Sequence, residues 1–132
     1  MSARGTFDVK IAPLETAHKD EPALSRLSID KQFHGDLEAV SLGEMLATGS
    51  GGTGSSGAYV AIEKVTGKLH GRAGTFILQH VGVMERGAAW MSVNVVPDSG
   101  TGALEGIAGK LNIIIEGKKH SYEFVYSLPS AP

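Results

Sequence analysis

GKLHGRAGTFILQH, residues 67–80, sets an apolar alternation against its own last residue. Phe76, Leu78 and His80 lie two apart, so on a β-strand they share one face. The face that carries a phenylalanine and a leucine is normally the inner one. A titratable imidazole at the wall of an apolar interior is a reason to look for a ligand there.

The same period of two runs outward in both directions. Upstream, AYVAIEKV (58–65) places Tyr59, Ala61 and Glu63 on one face and Val60 and Ile62 on the other. Downstream, AAWMSVNVV (88–96) is a further apolar run. Turn chemistry at Thr66-Gly67, Glu85-Arg86-Gly87 and Pro97-Asp98-Ser99-Gly100 separates these runs. Near the start, Phe7, Val9 and Ile11 alternate with Thr6, Asp8 and Lys10, and Leu27, Ile29 and Phe33 stand against Arg26, Ser28, Asp30 and Gln32. LETAHKDEP (14–22) between them is a surface connection. LEAVSLGEML (37–46) suits a strand or a short helix and is read as a strand. ALEGIAGKLNIIIE, a turn at Gly117, and HSYEFVYSL predict a final hairpin.

Eight strands joined by short turns predict an all-β, closed antiparallel barrel of about eight strands, with a two-sheet sandwich as the competitor. Gly71, Gly74, Gly106 and Gly109 mark places where a curved sheet bends or admits a close neighbour. The 132 residues suit a single domain, 1–132, with GSGGTGSSG (49–57) as a flexible loop. A formal charge of −2 without a basic stripe argues against nucleic acid or an anionic membrane as partner. Zero cysteines remove disulfides, thiolate metal sites and cysteine nucleophiles together. No apolar run reaches transmembrane length, and a cytoplasmic protein is expected.

Three chemical motifs have simpler readings. His34, Asp36 and Glu38 alternate like metal ligands, but a solvated face gives the same pattern and Gly35 bends it; no metal is expected. GTGSSG (52–57) spells a dinucleotide string, yet a strand pattern follows where a helix is required; no cofactor is expected. Ser99 in PDSGTG is a turn serine without a nucleophile elbow.

What remains is the apolar-face set. With Glu63 and His80 both inward, a carboxylate whose pKa is raised by a dry pocket and an imidazole would flank one cavity as catalytic acid/base groups. Tyr59, Phe76, Leu78, Trp90 and Tyr122 would bind the ligand as walls, with Phe124 and Tyr126 nearby. The opposite parity would turn Val60 and Ile62 inward and leave Glu63 beside Lys64 on a solvated rim. The expected partner is a small apolar or aromatic molecule, acted on by a cofactor-independent isomerase or cyclase or held by a non-enzymatic binding protein. A third reading is a filled barrel that forms a homo-oligomer through Val60, Ile62, Ile113 and Ile115.

Four blocks, FHGDLEAVSLGEML, YVAIEKVTGKLHGRAGTFILQH, VVPDSGTGALEGIAGKL and GKKHSYEFVYSL, together resemble a bacterial family of uncharacterised proteins with an allene-oxide-cyclase-like barrel. The resemblance spans roughly Phe33 to Leu128 and implies an eight-stranded antiparallel barrel. Plant allene oxide cyclases close an unstable fatty-acid epoxide in an apolar barrel with an acidic side chain and an ordered water; their catalytic motif has no residue-by-residue match here. Dirigent-type barrels, which steer coupling of phenolic radicals, are related in fold. Glu63, Arg72, Phe76, Gln79, His80 and Tyr122 belong to the family pattern, with roles unassigned.

Overall fold

The period-two alternation read from the sequence continues through eight strands: β1 (Ser2–Leu14), β2 (Leu24–Gly35), β3 (Leu37–Gly49), β4 (Gly57–Leu69), β5 (Arg72–Glu85), β6 (Ala88–Val95), β7 (Ala108–Glu116) and β8 (Lys119–Ser127). In this computed structural model, which describes residues 1–17, 20–21, 23–49 and 55–129, each strand pairs antiparallel with the next. β8 returns to β1 through Ser2–Val125 to Thr6–Ser121, and the sheet closes as a barrel. The closed barrel, not the sandwich, is therefore the architecture. Its thinnest seam joins β6 to β7, where a single ladder pair, Asn94 with Lys110, is formed.

Two hairpin turns show the local cause of the meander. His70-Gly71 and Arg86-Gly87 each put two consecutive residues at positive φ (48° and 79°; 47° and 88°), which a tight two-residue connection of the primed type requires. The break expected at Thr66-Gly67 is thus displaced to His70-Gly71. Gly67 instead lies inside β4, opposite Ala39, where a Cβ would stand 2.5 Å from the Ala39 Cα. Ser50 to Gly54 of the expected Gly/Ser loop lie outside the described residues, as do His18, Lys19 and Pro22 of the first connection. Gly57 opens β4, so a strand does follow the GTGSSG string.

The interior is filled unequally. The half that holds the N-terminus and the β2–β3 and β4–β5 turns is packed with buried apolar side chains, among them Phe33, Leu37, Phe76, Leu78, Phe124 and Tyr126. Each such side chain contributes about 1.5–3 kcal/mol of burial. Phe76 stacks on Phe124 at 5.6 Å, and Phe124 on Tyr126 at 5.3 Å. Tyr122 serves this half as a tie: its hydroxyl accepts from the Leu37 N–H at 2.9 Å and donates to the His34 carbonyl at 3.0 Å.

The segment 96–107 then plugs that end. It runs back along β5 through Val96 N–H to Ile77 O (2.9 Å) and Thr101 N–H to Thr75 O (2.8 Å), and buries Leu104 and Ile107. Gly74 permits the approach, because a Cβ there would meet the Thr101 carbonyl at 2.1 Å. Ser99 belongs to this strapping: its hydroxyl donates to Val96 O at 2.7 Å and accepts from Ile77 N–H at 3.0 Å.

Candidate functional site

Strand parity, left open by the sequence, is decided by burial. Ala61, Glu63 and Val65 point inward from β4, while Val60 and Ile62 are each 51% exposed on the outside. Phe76, Leu78 and His80 point inward from β5. Glu63 and His80 are 0% and 3% exposed. A third charged residue joins them from β2: Lys31, between Ile29 and Phe33 on the inner face and only 6% exposed.

These side chains meet because their strands are neighbours. Lys31 faces Ser41 across β2 and β3, Gly43 faces Glu63 across β3 and β4, and Ala61 faces His80 across β4 and β5. The Lys31 Nζ lies 3.0 Å from Glu63 Oε2 and donates to Oε1 at 3.4 Å. His80 Nε2 lies 3.4 Å from the same Oε2. Neither nitrogen is aligned on Oε2 as a hydrogen bond, and among the described residues Glu63 Oε2, His80 Nε2 and, separately, Ser41 Oγ are buried without a hydrogen-bonded partner, Oε2 and Nε2 being held by ion-pair proximity alone. The ammonium also sits 5.1 Å from the Phe7 ring centroid and 5.8 Å from that of Phe33, within cation–π range.

The electrostatics correct one expectation. Burial pushes the Glu63 carboxyl up, as expected of a dry site, but the adjoining His80 and the positive charge of Lys31 outweigh it. Glu63 is held below the usual carboxylate range and is ionised at neutral pH. The same charge acts on Tyr59, four residues away on the same face, whose phenol is raised first by burial and then by Glu63. The Tyr59 ring lies over Gly82 of β5, where a Cβ would come within 2.2 Å of Cε1.

Above this layer the described residues enclose a hollow. A cavity of about 230 Å³ is lined at its base by Lys31 and His80 and at its sides by Val9, Ile29, Met45, Tyr59, Met91 and Ile113, among others, with His120 also present. Glu63 lies beneath the lining. Larger hollows occur at the rim and on the outer wall, one of about 470 Å³ beside Leu46, Val60 and Ile62, but none of these touches Lys31 or His80.

The expected ligand-binding residues are divided by this geometry. Tyr59 lines the open cup. Phe76, Leu78 and Tyr122 lie in the packed half, outside the cup lining. Trp90 does not have the inward parity expected of it: Val93 and Val95 point inward, so Trp90 points out and is 56% exposed, opposite Val83. Ile113 and Ile115, expected on the outer wall, line the cup instead, and Ile114 takes the outer position. Lys31 was not singled out in the sequence, although the alternation Ile29, Lys31, Phe33 contains the signal that places it inside.

Other polar motifs are tied to the frame. His34 Nε2 pairs with Asp8 at 3.1 Å, Asp36 accepts from the Arg4 N–H at 2.9 Å, and Glu38 accepts from the Gly35 N–H at 2.9 Å, so the three diverge. At the plugged end His70 Nδ1 lies 2.5 Å from the Tyr126 hydroxyl, and its Nε2 is 3.6 Å from Asp36. This joins two turns to β8. Among the described residues, no helix is long and apolar enough to cross a membrane.

Comparison with known proteins accounts for the whole barrel. A family model described as a protein of unknown function, DUF3224, matches residues 3–126, from β1 to the last turn of alternation in β8. The chain belongs to the DUF3224 family. A crystal structure of a DUF3224 protein of unknown function from Shewanella oneidensis MR-1 is 44% identical, with a TM-score of 0.91 over 99% of this chain and 98% of that one. No curated protein matches the chain. DUF3224 membership and the shared barrel thus fix the frame in which the Lys31–Glu63–His80 cluster is held.

Proposed function

We propose that this barrel binds a small apolar molecule in its open half, with the buried Lys31–Glu63–His80 cluster as the polar floor. The observation that carries the reading is the coincidence of a 230 Å³ apolar cup with the layer that contains three buried polar atoms without hydrogen-bonded partners. An unsatisfied polar group in a core costs about 1–3 kcal/mol, which applies to Ser41 Oγ, while Glu63 Oε2 and His80 Nε2 meet at ion-pair distance without aligned hydrogen bonds; spare hydrogen-bonding capacity in one layer supports a site. Apolar walls with a few convergent polar groups are the usual composition of a ligand pocket.

Native mass spectrometry of the purified chain tests this. The expected result is an added mass, released on activation, that is lost in Met45→Trp, where an indole occupies the cup. The same bound mass in both proteins places the molecule elsewhere and sinks the reading.

A second reading is favoured by one contact, the 3.4 Å approach of His80 Nε2 to an ionised carboxylate. That arrangement orients an imidazole for proton transfer, with Lys31 available to a developing negative charge. The barrel would then be a cofactor-independent isomerase or cyclase-like enzyme, the reaction class implied by the resemblance to allene-oxide-cyclase-like barrels. On a substrate that the protein turns over, Glu63→Gln is expected to lower kcat by at least about tenfold while circular dichroism stays that of a folded barrel. Unaltered kcat removes Glu63 from the chemistry.

A further inference from the structure

We propose that the cup selects uncharged molecules of about one ring that carry a single hydroxyl or carbonyl oxygen, over carboxylates and amines of the same shape. The inference rests on the binding reading above and names the class of molecule the site takes.

Size sets the first limit. At about 230 Å³ the cup lies between an engineered benzene-binding cavity of roughly 150 Å³ and the lower bound of drug-sized pockets, roughly 300 Å³. One ring, or an aliphatic chain of similar bulk, fills it. The walls offer thioethers and branched aliphatic groups from Met45, Met91, Ile29 and Ile113, which match an apolar body and cannot replace the hydration of an ion.

Charge sets the second limit. The floor contains one ammonium and one carboxylate 3.0 Å apart, and each already neutralises the other. A bound carboxylate approaching Lys31 also approaches Glu63 beneath it, and a bound ammonium drawn to Glu63 must come near Lys31. Either ion gives up water for a pair with no net charge to return. A neutral oxygen avoids this loss, and it can accept from Lys31 or His80 and, as a hydroxyl, donate to the imidazole.

Three ring compounds of one shape test the proposal at about pH 8, where a phenol of ordinary pKa is neutral: 4-methylphenol, 4-methylbenzoate and 4-methylbenzylamine. Binding is followed by amide chemical shifts at cup residues of the wild-type chain. The expected result is a Kd for 4-methylphenol at least about tenfold below those of the two ions. In Glu63→Gln, which leaves the Lys31 ammonium unpaired, the preference is expected to move at least about tenfold toward 4-methylbenzoate. Tightest binding of either ion to the wild type overturns the charge argument while leaving the cup as a binding site. Millimolar concentrations of all three without a shift at any cup residue overturn the binding reading itself. Unchanged preference in a folded Glu63→Gln also overturns the proposal; if that variant does not fold, the wild-type ranking decides.

Discussion

Lys31→Met is expected to lower the stability of the barrel by about 3–5 kcal/mol at neutral pH, because it leaves the Glu63 carboxylate buried without its cation. Urea unfolding followed by far-UV circular dichroism measures this. The variant also weakens the response to acid. In the native chain Glu63 has a folded pKa below its unfolded value, so its contribution is present at neutral pH and is lost as pH falls through that depressed folded value. Lys31→Met removes one of the two neighbours that hold that pKa down and leaves His80 against burial, so the variant has less of this contribution to lose in acid. The gap between the two proteins should accordingly narrow as pH falls from about 7 toward 4. Adding Glu63→Leu to Lys31→Met should restore most of the loss, since two apolar side chains leave no buried charge. A loss under about 1 kcal/mol, or a gap that widens in acid, shows that the pair is not a desolvated unit.

Gly43→Ala is the second large effect expected, about 3 kcal/mol or more, at the upper end of overpacking costs. The residue faces inward opposite Glu63, and a Cβ there would stand 2.3 Å from the Ile62 carbonyl and 2.7 Å from the Glu63 Cα. These are backbone and near-backbone atoms that cannot swing aside. β4 must move, and it carries Glu63 away from Lys31 and His80. Thermal denaturation should show a drop of roughly 10 °C for a domain of this size. Gly71→Ala is the comparison: it has φ 79° and no atom within 4 Å of a Cβ, so it carries only the left-handed backbone cost of roughly 1 kcal/mol. Equal losses in the two variants argue against the steric account of Gly43.

Strand periodicity and turn residues made the barrel legible, since alternation is a local property and each residue votes on the same face. The His80 end of the starting stretch was legible for that reason. Glu63 was legible only as one of two parities, because Tyr59-Ala61-Glu63 and Val60-Ile62 are both plausible inner faces, and burial alone separates them. Lys31 shows the opposite difficulty. Its parity was readable, but a lysine on an apolar face is normally discounted, and its partner is 32 positions away on a strand two places round the barrel. Trp90 misled through its size: an aromatic side chain suggests an interior wall, while Val93 and Val95 fix the register that turns it out. The direction of the Glu63 pKa could not be read either, since burial and pairing push in opposite senses.

The plug formed by residues 96–107 makes the barrel a blind well. On the binding reading proposed above, a molecule in the cup would leave by the path on which it arrived, and a newcomer could not displace it from behind. On that same reading, residence time would be governed by cup residues such as Ile11, Met91 and Ile115, and would be separable from an affinity set at the Lys31–Glu63–His80 floor.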